Sequence, residues 1–356
     1  MTPPSPDLLA AALHDVDAVA SERYPHWEEL VRRAREANLL GTLGAQLADR
    51  RLLDAVPVAP RANLIAAQIQ SEAQERAVRR EVRELARALG PAGVPVVLLK
   101  GAAYLYARLP AARGRVFSDV DILVPKDRLV DVESALMQSG FITTHHHPYD
   151  QRYYRKWMHE LPPMQHVKRL TILDVHHAIV PETARAHPDS ALLLRDAVAL
   201  PDVPGFAVLA PVDMVLHCAT HLFHDEDFGH APRDLVDFDA LVRHFGRDEA
   251  FWPALLSRAE ELELGRMLYY ALRWASRIHR TPVPPEMLIG AARFAPAFPV
   301  RPLMDSLLGP ALRPTGARAS TRWARRALYV RGHWLKMPPH LLAWHLAAKA
   351  MRRKEE

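Results

Sequence analysis

Apolar residues recur at helical spacing from Leu8 to Val19 and again through ANLIAAQIQSEAQERAVRREVRELARALG, which predicts a helical first 90 residues stopped by Gly90 and Pro91. The pattern then shortens. VPVVLLKG is a β-branched and leucine run suited to a buried strand, and AAYLYARLP suits a short helix ending at Pro110. Residues 115 to 125 (RVFSDVDILVP) have strand composition, residues 126 to 139 read as a helix, and Phe141 to Thr144 and KRLTILDVHHAIV read as further strands. From about Ser190 to Gly290 the spacing is helical again, broken by prolines at 201, 204, 211, 282, 284 and 285. The fold class expected is α+β, a small mixed sheet with helices on one side, flanked by helical N- and C-terminal regions. We divide the chain into a helical region over 1–90, a catalytic core over 91–188, a helical domain over 189–310 and a basic tail over 311–356.

Composition changes this picture little. A hydrophobic fraction of 49% and a charged fraction of 24% are those of an ordinary globular protein. No apolar run reaches the roughly 18 residues of a membrane span, and MTPPSPDLLAAALHDVD has acids where a signal peptide has a basic stretch, so a cytoplasmic location is expected. The single cysteine, Cys218, lies in the apolar stretch MVLHCATHLF, which excludes an internal disulfide and a cysteine zinc cluster and reads as core. Charge is unevenly spread: Arg313 to Glu356 holds eleven Lys or Arg against two Glu, a local +9 in a chain of net +5.

Candidate chemistry starts with Asp119 and Asp121, which stand two apart on a predicted strand, so the pleat points both carboxylates to one face. A lone D-x-D is commonly a solvated strand end. Two adjacent carboxylates nevertheless raise each other's pKa and cost folding free energy, and a hard divalent ion such as Mg²⁺ offsets that cost. Asp174, mid-strand with apolar flanks, offers a third carboxylate for a two-ion site of the kind that catalyses phosphoryl displacement. LLKG precedes the pair by about 20 residues at a strand-to-helix junction, where Gly101 lets backbone N–H groups approach phosphate. Lys100 adds a mobile positive charge and Arg115 a planar donor fork.

The stretch LLKGAAYLYARLPAARGRVFSDVDILVPKDRLVDVESALMQSGF, followed by ILDVHHAIV, resembles the uncharacterised bacterial nucleotidyltransferase family within the DNA polymerase beta-like superfamily. Its motif-bearing part covers roughly residues 94 to 180. The resemblance places the glycine turn on Gly101, the metal pair on Asp119 and Asp121, and the third carboxylate on Asp174. It implies a nucleoside triphosphate held at the Gly101 turn, two Mg²⁺ (or Mn²⁺) ions, attack by an acceptor hydroxyl and departure of pyrophosphate. Asp174 would bind the nucleophile-side ion or take the hydroxyl proton. The sequence departs from the family pattern in one respect: the turn is commonly Gly followed by Ser, and here Ala102 follows Gly101, so Lys100 or Ser118 has to supply the missing phosphate contact. Members often lie beside biosynthetic or peptide-modifying genes, which implies a small-molecule, sugar or peptide acceptor rather than long nucleic acid.

Two rival readings stay open: a non-catalytic module binding nucleotide or peptide on the same scaffold, and a kinase-like phosphoryl transferase. Among 19 histidines, His176 shares a strand face with Asp174 and could touch a phosphate or the acceptor, or simply be a strand histidine. His217 and His221, four apart with Asp225 one turn on, have a spacing compatible with zinc, although core histidines are the commoner cause. The His145 to His147 run reads as a polar loop. Arg233 and Asp237 are spaced for an intrahelical ion pair. The basic, tryptophan-bearing tail divides at Pro338 and Pro339 and allows three roles: a helical cap, a peripheral membrane contact, or a surface for an acidic partner.

Overall fold

The computed structural model describes residues 7–144, 148–224, 227–314 and 319–336. The first helices are α1 (Leu8–His14), α2 (Trp27–Glu36), α3 (Leu40–Asp49) and the long α4 (Val58–Leu89). The mixed region then follows as β1 (Val96–Leu98), α5 (Lys100–Tyr106), β2 (Asp119–Leu123), α6 (Leu129–Gln138), β3 (Phe141–Thr143), α7 (Pro148–Trp157), β4 (Met164–His166) and β5 (Ile172–His176). After α8 (Ser190–Arg195) come two short strands, β6 (Val198–Ala199) and β7 (Phe206–Val208). The rest is helical: α9 (Pro211–His224), α10 (Ala231–Phe245), α11 (Phe251–Glu261), α12 (Gly265–His279), α13 (Pro285–Ala291), α14 (Val300–Ala311) and α15 (Ala319–Lys336). The fold is mixed α+β, as expected.

The strands form one seven-stranded mixed sheet in the order β3-β4-β5-β2-β1-β7-β6, with β2 at its centre. β2 runs parallel to β5, with Asp121 opposite Asp174 and Leu123 opposite His176. β1 lies antiparallel to β2 and parallel to β7. The pleat of β2 turns Val120 and Ile122 into the apolar core and leaves Asp119 and Asp121 on the other face.

β4, β6 and β7 escape the sequence pattern. Each is two or three residues long, too short for an alternation to register, and Met164-Gln165-His166 is not β-branched. β6 and β7 fall inside the stretch read as helical. They complete the sheet on the far side of β1, so the sheet continues past residue 188, where the core was drawn to end.

One large apolar core runs from the sheet through α9 to α12, and a second gathers α1, α2 and α3 around Leu64 of α4. Cys218 is buried in the first core with its thiol 3.6 Å from the Asp234 carbonyl, as read from its apolar neighbours. α15 buries Thr321, Ala324, Leu328 and Gly332 and packs against α14, while Arg331 donates to the Phe223 carbonyl of α9 at 3.0 Å. Up to Lys336 the basic segment is therefore a helix with one face packed on the body of the protein. The Pro338–Pro339 break and the charges beyond it lie outside the described residues, as do the His145 to His147 run and Asp225. Among the described residues no helix is long and apolar enough to cross a membrane.

The β4–β5 hairpin is anchored to α4 by a buried carboxylate. Glu81, 1% exposed, accepts from Arg169 Nε and Nη2, both at 2.7 Å, and from Thr171 Oγ1 at 3.0 Å. Removing one partner of such a pair strands a desolvated charge. Arg169→Ala is expected to destabilise the protein by about 3 kcal/mol, whereas Glu81→Leu combined with Arg169→Leu recovers most of that loss. Denaturant unfolding of the three proteins checks this.

Candidate active site

Because β2 and β5 are parallel and in register, the alternation that aims Asp119 and Asp121 at one face aims Asp174 at the same face. The three carboxylates come together with ligand oxygens all within 4.8 Å of one another. Ser118 Oγ donates to Asp119 Oδ1 at 2.9 Å, which fixes the outermost carboxylate. His176, next on the same face of β5, brings Nε2 to 3.1 Å from Asp121 Oδ1. The sequence-predicted residues Ser118, Asp119, Asp121, Asp174 and His176 are thus one cluster.

Lys100 supplies the countercharge. It sits at the β1–α5 junction in a left-handed backbone conformation, φ 45°, uncommon outside glycine. From there its Nζ reaches Asp121 Oδ1 at 2.7 Å. Burial works against the charged forms of both groups, but the pairing outweighs it: Asp121 is held well below the usual carboxylate range and Lys100 well above its usual value. Asp174 receives no such help. Burial, with Asp121 and Glu160 adding like charge, pushes its carboxyl up to about 7, and its Oδ1 is buried without a hydrogen bond. An orphaned buried oxygen facing two other carboxylates is what a hard divalent cation satisfies, and this all-oxygen donor set fits Mg²⁺ or Mn²⁺.

Three expectations need correcting. Gly101 is not an open phosphate turn. A Cβ there would lie 2.5 Å from Arg115 Nη1 and 3.1 Å from Phe117 Cδ1, so the glycine exists to let the Arg115 guanidinium pack against α5. Arg115 itself is not a free fork aimed at substrate. It is 7% exposed, donates to Asp237 Oδ2 at 3.0 Å and to the Val116 carbonyl at 3.2 Å, and lies over the rings of Tyr104 and Phe117. The ion pair expected between Arg233 and Asp237 is accordingly absent: Asp237 serves Arg115, and Arg233 binds its neighbour Asp234 at 2.9 Å. These residues join α10 to the base of β2 and hold the site from behind.

The tertiary structure also adds His159 and Glu160, which the sequence did not single out, and brings in the α9 histidines His217 and His221, which it did. His159 and Glu160 lie beside His176, with the two imidazole centroids 5.3 Å apart and Glu160 Oε2 3.4 Å from His176 Nδ1. α9 crosses the same end of the sheet, so that His217, His221 and His224 join Lys100, His159 and His176 around a cavity of about 40 Å³. His217 is buried, and burial together with the positive charge of Lys100 drives its pKa well below the usual histidine value. It is a neutral core histidine on the wall of the site. His221 instead turns toward Asp234, 3.7 Å away. Only long-range packing reveals these neighbours; the unusual density of histidines was the one available signal.

Residues 24–279 match the sequence model of a family described as uncharacterised nucleotidyltransferase. No curated protein matches the chain.

The raised Asp174 pKa sets the sign of a pH effect. The folded state holds its proton more tightly than the unfolded state, so its contribution to stability is greatest at low pH and is lost as pH rises from the ordinary carboxyl value toward 7. In metal-free protein, Asp174→Asn is expected to be more stable than wild type at pH 8 by on the order of 2 kcal/mol, the gap closing toward pH 4. Urea midpoints across that range check it.

Proposed function

Since the chain belongs to the uncharacterised nucleotidyltransferase family, we propose that it moves a nucleoside monophosphate from a nucleoside triphosphate to an acceptor hydroxyl, with release of pyrophosphate. The observation that carries this reading is the convergence of Asp119, Asp121 and Asp174 across the parallel β2–β5 pair. Asp119, Asp121 and Asp174 would hold the divalent ions, which supply charge neutralisation at the transferring phosphorus and at the leaving oxygens.

The protein's own residues then have distinct tasks. Lys100, paired with Asp121 before substrate arrives, turns to the triphosphate once the carboxylates have another counterion, and so takes the place of the serine that the family turn carries after its glycine. Ser118 keeps Asp119 oriented, and His176 does the same for Asp121. Asp174 binds the nucleophile-side ion or takes the hydroxyl proton, and its distance from the acceptor oxygen decides which. The balance is simple: the acceptor oxygen bonds to the α-phosphorus, the bond to the bridging oxygen breaks, and pyrophosphate leaves as the acceptor loses its proton. The wall of histidines and lysine suits an anionic substrate, and a small molecule, sugar or peptide hydroxyl is the acceptor class we favour over long nucleic acid.

Incubation of purified protein with each labelled triphosphate and Mg²⁺ or Mn²⁺, with cell extract as acceptor source, tests the proposal. Wild type is expected to release pyrophosphate and form an adduct heavier by one nucleoside monophosphate. Asp119→Ala and Asp174→Ala should lose at least about 100-fold in rate. A nucleoside diphosphate product would make the protein a kinase-like phosphoryl transferase. Equal triphosphate binding by all three proteins without turnover would make it a binding module.

A further inference from the structure

We infer that His159, Glu160 and His176 form a second metal site, for a borderline transition ion of the zinc class, distinct from the all-carboxylate site beside it. Their ligand atoms lie within 4.8 Å of one another, and two imidazoles with one carboxylate form a donor set that suits zinc rather than magnesium.

Backbone pairing builds this arrangement. Glu160 bridges to His176 in antiparallel fashion, the His177 amide donates to the His159 carbonyl at 2.9 Å, and the Leu161 amide donates to the Val175 carbonyl at 2.8 Å. The segment before β4 is thereby fastened along the end of β5, and its two ligands are set against the third.

The second observation is the state of His176, which is 4% exposed. Its Nε2 is engaged with Asp121 Oδ1, while its Nδ1 is buried with no hydrogen bond although Glu160 Oε2 is only 3.4 Å away. A histidine that donates one ring nitrogen to a carboxylate and turns the other, unbonded, toward a second carboxylate and an imidazole has the geometry of a metal ligand with its supporting acid already in place. The same ring therefore links the two sites: an ion on Nδ1 leaves the proton on Nε2 and locks the hydrogen bond to Asp121, making His176 a positioning residue for the catalytic carboxylate. His159 and His176 also line the small cavity with His221 and His224, which leaves the ion a side open to water or an anion.

The test uses the full chain, stripped of metal with a chelator and kept in excess Mg²⁺ so that the carboxylate site favours the hard ion. Zn²⁺ is titrated against a chromogenic chelator, and Co²⁺ is used as an optical probe of nitrogen ligation. We expect one Zn²⁺ per chain that Mg²⁺ does not displace, held at least about 10-fold more weakly by His159→Ala and by Glu160→Gln and unchanged in Asp174→Asn. Circular dichroism reports folding, and if His159→Ala is unfolded the conservative Glu160→Gln decides. The inference is overturned by stoichiometric zinc binding that ignores both substitutions, by a loss shared with Asp174→Asn, or by the absence of stoichiometric binding. No nucleotide is present, so the outcome is independent of whether the protein turns over a triphosphate.

Discussion

Everything at the centre of this protein follows from pairing two aspartate-bearing strands in parallel, with Asp121 directly opposite Asp174. That register brings three carboxylates within 4.8 Å, an arrangement that repels itself and that folding alone has no reason to favour. The surroundings divide the strain unequally. Asp121 is relieved by the Lys100 ammonium and the His176 ring, whereas Asp174 keeps a buried oxygen without a partner and a carboxyl that resists ionisation. One acid is thus held ionised, and its neighbour's carboxyl is pushed up to about 7 by burial and like charge.

Such a cluster needs a rigid frame, and the frame is largely electrostatic. Behind β2, Arg115 spans from Gly101 to Asp237 and ties the sheet to α10; below β5, Glu81 holds Arg169 and Thr171 and ties the hairpin to α4. Charged residues in both places are desolvated and paired, so each loses far more by losing its partner than the pair adds by existing. The two aspartate-bearing strands are therefore held from two directions.

His176 connects the two halves of the site. It lies two residues beyond Asp174, contacts Asp121 through one nitrogen and faces Glu160 and His159 with the other. A residue readable in the sequence as a plain strand histidine becomes, through the return of residues 159 and 160 to the end of β5, the side chain that touches both the carboxylate cluster and the His159–Glu160 pair.

The sequence by itself determined the local parts of this architecture. The period of two in Asp119-Val120-Asp121 settles that both carboxylates share a face, the apolar flanks of Asp174 mark a buried strand, and the long amphipathic run ending at Gly90 marks α4, because each of these is set by nearest-neighbour geometry. The tertiary structure decided everything that depends on which segments meet. The uses of Gly101 and Arg115 turned out to be packing and ion pairing, since a glycine or an arginine carries no local sign of its partner. β4, β6 and β7 were too short to leave a pattern and exist because neighbouring strands offer them hydrogen bonds. Glu160 and the histidines of α9 reach the site over separations that no periodicity encodes, and only closure of the chain brings their side chains within range of the carboxylates.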